Sequence, residues 1–249
     1  MCGIAALFCE ARQADLSEQM ERLLDVVRHR GPDGEGHITG DATNVVRGPG
    51  GGSWSLGHVR LAILDLSDAG IQPMSTADES CWITYNGEVY NYLELAAELK
   101  SLGHRVETGT DTEVILAAYR QWGEQCVERF RGMFAFVIVD LQHQRVFAAR
   151  DRLGIKPLYV FQSAKHTLFA SEPKQMLQLD DFSARANRQL VVDYLSEGLL
   201  GHVPTQTMFD GIYAFPAGSR LIWRLGTPPD LEAIERYWNR DETVRSLSW

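Results

Sequence analysis

At 249 residues the chain can bury a large core, as one domain or as a domain with an appendage. Its composition, 45% hydrophobic and 23% charged, is that of an ordinary globular protein, and a net charge of −9 with scattered basic residues argues against a nucleic-acid or anionic-membrane surface. No apolar run approaches the roughly 20 residues that span a bilayer, and the N-terminus lacks the basic leader and small-residue cleavage site of a signal peptide. The four cysteines, Cys2, Cys9, Cys81 and Cys126, form no CxxC pair and no framework, as expected of reduced thiols in a cytoplasmic protein. The seven histidines are dispersed, which gives a metal site little support.

The chain begins with the apolar run Met1-Cys2-Gly3-Ile4-Ala5-Ala6-Leu7-Phe8, which predicts a strand buried from its first residue. If Met1 is removed, Cys2 carries a thiol of reference pKa about 8.5 and an α-amine of about 8. One residue then supplies a nucleophile and a general base. A buried free cysteine in a first strand is the competing reading, and this stretch alone leaves both open. Leu16 to His29 reads as an amphipathic helix capped by Ser17, with Met20, Leu23, Leu24 and Val27 as its apolar stripe, stopped by Gly31-Pro32 within His29-Arg30-Gly31-Pro32-Asp33. The glycine cluster Gly48 to Gly52 lacks the lysine of a phosphate loop and reads as a surface loop.

Ser55 to Asp65 predicts a strand carrying Arg60 among apolar neighbours, and such a guanidinium must reach water or meet an anion. Cys81 to Val89 predicts a strand interrupted by Asn86-Gly87-Glu88, a strong hairpin signal. No matching strand follows; instead Asn91, with Glu94 at the third helical position, opens a helix running to Gly103. A strand, Asn-Gly, helix passage leaves a side-chain amide and a backbone N–H at a strand end, the two donors an oxyanion hole needs. Thr110-Asp111-Thr112-Glu113 is a second capping box, with Asp111 in the first turn where the helix dipole favours a carboxylate.

From Met133 onward short β-rich runs with polar links predict antiparallel sheet: 133–140, 145–151, 157–162 and 167–171. A helix over Gln189 to Leu200 and a β segment to Trp223 follow. The polar stretch 224–249, helical only briefly near 231–238, reads as a linker after a domain over 1–223. Strands near both ends with helices between them predict an α+β layered fold.

Five segments now stand in order: MCGI, HRGPD, GHVRLAILD, YNGEVYN and TGTDTEVI. The set resembles the class II glutamine amidotransferase domain, and specifically the glutaminase half of asparagine synthetases. The similarity continues through RGMFAFVIVD, RDRLGIKPLY and FPAG. The resemblance implies a four-layer αββα sandwich of two antiparallel sheets, of the N-terminal-nucleophile hydrolase type. It implies Cys2 as the nucleophile, Asn86 and Gly87 as the oxyanion hole, and Arg60, with Leu61, Ala62, Ile63 and Leu64, for the α-carboxylate of L-glutamine. Glu88 and Asp111 would surround the substrate α-amine, and HRGPD would support the active-site loop.

No cofactor and no metal are implied for this half. ATP and Mg²⁺ belong to a synthetase half, whose Ser-Gly-Gly-x-Asp-Ser loop this sequence lacks. That half would be a C-terminal domain or a separate synthetase subunit, and a homodimer is compatible with the resemblance. Two alternatives stand beside it: a stand-alone glutaminase subunit serving another amidation, and an amide hydrolase of the same fold that does not act on glutamine. The latter need not keep the Arg60/Asp111 pair, and a non-catalytic scaffold would not need Cys2.

Overall fold

The computed structural model describes residues 1–47, 50–63 and 65–239. In chain order the elements are β1 (Gly3–Gln13), α1 (Leu16–Asp25), β2 (Gly34–Gly40), β3 (Val45–Val46), β4 (Gly52–Arg60), β5 (Met74–Ser75), β6 (Cys81–Val89), α2 (Tyr92–Ser101), α3 (Asp111–Trp122) and α4 (Cys126–Arg129). They continue with β7 (Gly132–Asp140), β8 (Arg145–Arg150), β9 (Tyr159–Gln162), β10 (His166–Ala170), α5 (Arg188–Glu197), β11 (Ile212–Ala214), β12 (Ser219–Arg224) and β13 (Glu235–Arg236). The strands form two antiparallel sheets, one in the order β11-β9-β10-β1-β4-β2-β3 and the other β13-β12-β8-β7-β6-β5.

The apolar runs seen in the sequence do not alternate because both faces of the central strands are covered. In β1, Ile4, Ala6 and Phe8 face the core between the sheets, while Ala5, Leu7 and Cys9 face the α1 side with Met20, Leu23 and Leu24. In β7, Ala135, Val137 and Val139 meet the inter-sheet core, and Phe134, Phe136 and Ile138 pack under α2 and α3. The result is the αββα sandwich that the resemblance implies. Each fully buried large side chain contributes about 1.5–3 kcal/mol, and Trp54, Trp82, Phe134, Phe136 and Phe169 are all of that kind. No helix among the described residues is long and apolar enough to cross a membrane.

Several local expectations are corrected. Asp15, not Ser17, holds the α1 cap position, and Ser17 lies inside the helix with its hydroxyl 2.8 Å from His37 Nε2. The helix stops at Asp25, and Arg28–Arg30 form a separate 3₁₀ turn. Asn91 does sit at the cap of α2, but its side chain is drawn away, accepting from Arg131 N (2.9 Å) and donating to Arg129 O (3.1 Å) at the start of β7. At α3, Thr110 Oγ1 accepts from Glu113 N, while the Glu113 carboxylate serves the N–H groups of Glu107 and Thr108 instead of closing the box. The strand expected over Ser55–Asp65 ends at Arg60. Asn86-Gly87 makes no turn: β6 runs through it unbroken, because β7 offers a partner along its whole length, with Asn86 opposite Ala135 and Gly87 opposite Phe134.

The stretch after Trp223 is more than a linker. Arg224 still pairs with Arg145, and β13 adds an edge to β12. Leu231 and Ile234 pack on the inter-sheet core, and Tyr237 Oη donates to Arg150 O at 2.9 Å. The sequence missed this because a two-residue strand has no periodicity to detect. A chain ending at residue 223 should therefore melt roughly 5 °C or more below one ending at residue 239. Thermal unfolding followed by circular dichroism checks this, and equal melting temperatures would restore the linker reading.

Candidate active site

The second residue of a chain is ordinarily poorly held. Here β1 lies between β4 and β10, its pairing begins at Gly3 opposite Val59, and Ile4 exchanges hydrogen bonds with Ser171 (Ile4 N to Oγ 2.9 Å, Ser171 N to Ile4 O 3.1 Å). Arg30 completes the anchor: its Nε donates to Cys2 O at 2.9 Å and its Nη1 to Glu172 Oε1 at 2.9 Å. The HRGPD segment thus gains a defined structural part. Gly31 presses so closely on the backbone of Val59 and Arg60 that a Cβ there would collide. Asp33 holds the end of β4, donating its N–H to Arg60 O and accepting from Ala62 N, both at 2.9 Å.

Half-buried Cys2 places its Sγ 3.4 Å from Leu61 N and 3.6 Å from Leu61 O. Burial raises the thiol pKa, while the Leu61 N–H, the chain amine, Lys156 and Arg60 pull it back.

The second group of atoms comes from the edge of β6. Successive N–H groups of a strand point to opposite edges. Tyr85 N donates to Gln72 Oε1 (2.7 Å) and Val89 N to Asp111 Oδ2 (2.9 Å), so the odd-numbered residues face away from β7. Gly87 N–H lies between them on the same edge, beyond β5, which covers only Trp82 and Ile83. Its register partner Phe134 agrees, since the N–H and C=O of Phe134 both bond Asp151. A side chain on Gly87 would strike Met133 O, so the residue must be glycine for the strands to approach. Asn86 is buried, and its Nδ2 has no hydrogen-bond partner among the described residues. Two donors without partners among the described residues therefore meet where β6 passes Cys2.

The charged groups complete the site. Arg60 Nη1 donates to Ser67 O at 2.8 Å and its Nη2 to Asp65 O, which fixes the guanidinium while leaving further N–H groups for an anion. Asp111 is 5% exposed; its Oδ2 accepts from Tyr85 Oη (2.7 Å) and Val89 N (2.9 Å), which leaves Oδ1 for a cation. Burial raises the Asp111 pKa against the pull of these two hydrogen bonds. Burial and the neighbouring Asp111 push Tyr85 well above the ordinary phenol range, so it remains a donor.

All the site residues the sequence points to, apart from Leu64, line one cleft of about 100 Å³: Cys2, Arg60, Leu61, Ala62, Ile63, Asn86, Gly87, Glu88 and Asp111. Leu64 lies outside the described residues. Gln72, Tyr85, His58 and Lys156 join them, and sequence reasoning assigned none of these a role. His58 is fully buried, is driven down to about 3 by that burial and is held neutral. Tyr85 and Lys156 sit in segments the sequence marks out, YNGEVYN and RDRLGIKPLY, but their partners are remote in the chain.

Residues 1–238 match the glutamine amidotransferase domain family. A putative glutamine-hydrolysing asparagine synthetase of Methanocaldococcus jannaschii is 36% identical across 96% of this chain and 46% of its own length. Asparagine synthetase 3 of Bacillus subtilis, also glutamine-hydrolysing, is 36% identical across 96% of this chain and 37% of its own length. The chain therefore spans less than half the length of these relatives. Among solved structures, the glutamine phosphoribosylpyrophosphate amidotransferase of B. subtilis shares the fold, with a TM-score of 0.65 at 18% identity over 90% of this chain and 47% of that one. Matched along nearly its whole length and built on the N-terminal-nucleophile fold, this chain belongs to the class II glutamine amidotransferase family.

Proposed function

We propose that the chain hydrolyses L-glutamine to glutamate and ammonia through a thioester on Cys2. The observation that carries this reading is the pair of unpartnered donors, Asn86 Nδ2 and Gly87 N–H, in the same cleft as the Cys2 thiol. Removal of Met1, which is 54% exposed, frees the α-amine of Cys2. That amine takes the thiol proton as Sγ attacks the side-chain amide carbon. Asn86 and Gly87 hold the oxyanion. The protonated amine then gives its proton to the departing nitrogen, ammonia leaves, and water cleaves the thioester to glutamate and free thiol.

Recognition follows from charge. Glutamine is a zwitterion, and the cleft offers Arg60 for its carboxylate and Asp111 Oδ1, with Glu88 nearby, for its ammonium. This zwitterion pair favours glutamine over the simple amides of other hydrolases. The names of the relatives support a role as the glutaminase half of an asparagine synthetase, supplying ammonia to a synthetase domain or subunit. In that reading aspartate, ATP and Mg²⁺ are used there, and this half needs no cofactor. Four free cysteines suit a reducing cytoplasm.

Cys2→Ala should abolish glutamate release while leaving the melting temperature near that of the parent, and release at parental rates would end the nucleophile assignment. Asn86→Ala should lower kcat by a factor of about 10²–10³, the usual cost of one oxyanion donor, with a smaller change in KM. An unchanged kcat would contradict that role.

Asp111→Asn separates function from folding. An asparagine oxygen placed like Oδ2 keeps the Tyr85 and Val89 bonds but removes the charge, so the KM for glutamine should rise at least about tenfold. Because the folded pKa of Asp111 is raised, its contribution to stability is fully present below the unfolded value of about 3.9 and is lost as pH rises through the folded value. Relative to the parent, the variant should therefore gain stability between about pH 4 and pH 7. Paired thermal melts at the two pH values check the sign, and a relative loss at neutral pH would contradict it.

A further inference from the structure

The segment RDRLGIKPLY contributes none of the nucleophile, the oxyanion donors or the zwitterion pair, yet two charged side chains, half-buried Arg150 and buried Asp151, are devoted to shaping it. Arg150, at the end of β8, donates from Nε to Lys156 O (2.7 Å), from Nη1 to Phe215 O (2.5 Å) and from Nη2 to Gly154 O (2.8 Å). Fully buried Asp151 accepts from Leu153 N (3.1 Å) and Ile155 N (2.9 Å) on Oδ1, and from Lys156 N (2.9 Å) and Phe134 N (3.1 Å) on Oδ2. The loop is thereby frozen and tied to Phe134, the residue opposite Gly87.

What this loop presents is the reverse of ordinary burial. Leu153 is 70% exposed and Ile155 53%, whereas Lys156 is 6% exposed. Lysine is almost never fully buried unless paired. Among the described residues Lys156 makes no ion pair, and it lines the cleft that holds Cys2. With its stem packed away and no carboxylate bonded to it, the ammonium is left free to meet an anion in the cleft. Besides the carboxylates that line the cleft, an anion arises there when the sulfur is ionised or an oxyanion develops.

We propose that Lys156 is a positioning residue for the reaction at Cys2, its ammonium delivered by the Arg150/Asp151 loop as the fixed counter-charge for the thiolate. This rests on the reading of Cys2 as nucleophile. The other charged or titratable groups lining the cleft are the chain amine ahead of β1, Arg60 and neutral His58 on β4, Asp65 just after it, Glu88 and Tyr85 on β6, and Asp111 on α3. The three carboxylates outnumber the chain amine and Arg60, and Lys156 supplies the cation that evens the formal charge of the cleft. Its cation is among the charges that draw the Cys2 thiol down against burial.

The test is iodoacetamide alkylation of Cys2 in the Met1-free chain, followed by mass spectrometry of the N-terminal peptide from about pH 5 to pH 10. In Lys156→Met the midpoint of the rate profile should move up by about one pH unit, and the rate at pH 7 should fall about tenfold. Lys156→Arg should keep the parental midpoint, and the acid limb of kcat/KM for glutamine should shift in parallel with alkylation. Removing a buried charge should not lower the melting temperature, and Lys156→Gln provides a second neutral variant. A parental alkylation profile in both neutral variants, or an arginine variant that behaves like them, would overturn the proposal. Alkylation needs no glutamine, so a chain that alkylates as expected but releases no glutamate would sink the substrate reading and leave the role of Lys156 standing.

Discussion

The seat of β1 between β4 and β10 governs the rest of the site. Chain ends usually fray, and a nucleophile at the second residue would fray with them. Pairing of Gly3 with Val59, the Ile4–Ser171 exchange and the Arg30 bond to Cys2 O together tie the terminus into the sheet. The same β1–β4 register brings the end of β4 beside the terminus, so Arg60 and Leu61 arrive next to the Cys2 sulfur without a separate device. Asp33 then locks that end from the other side.

The opposing sheet contributes by leaving something undone. β5 covers only two residues of β6, and past it the strand edge carries Gly87 N–H and the unpartnered Asn86 amide. A buried donor without a partner costs about 1–3 kcal/mol, and a buried charged carboxylate costs more. The stability to tolerate Asn86, Asp111 and His58 comes from central strands buried on both faces, far from the cleft. In the proposed reaction the Asn86 amide and the Gly87 N–H are complemented as charge develops on the substrate, which is the arrangement expected of a preorganised site.

Much of this was legible in the sequence. The apolar start with a cysteine at its second position, an arginine stranded among apolar residues and an Asn-Gly without a returning strand each broke a local rule. Each lies in the cleft. Local rules failed where a distant partner outcompeted a near one. Asn91 left its helix for Arg131, Glu113 turned to residues 107 and 108, and β7 straightened what looked like a turn at Asn86-Gly87. Arg30, Tyr85 and Lys156 could not be assigned for the same reason. Arg30 meets Cys2 across 28 residues, Tyr85 meets Asp111 across 26, and Lys156 meets the cleft only once the sheets have stacked.

The central claim is that the ordered terminus at Cys2 is where glutamine reacts. A glutamine analogue bearing a diazoketone in place of its side-chain amide tests this most directly, with the Met1-free chain analysed by peptide mass spectrometry. The account predicts complete inactivation with one equivalent bound on Cys2, protection by glutamine and no labelling of a chain that retains Met1. Inactivation with the label on any other residue, or full labelling of Cys2 in the Met1-retaining chain, would contradict it.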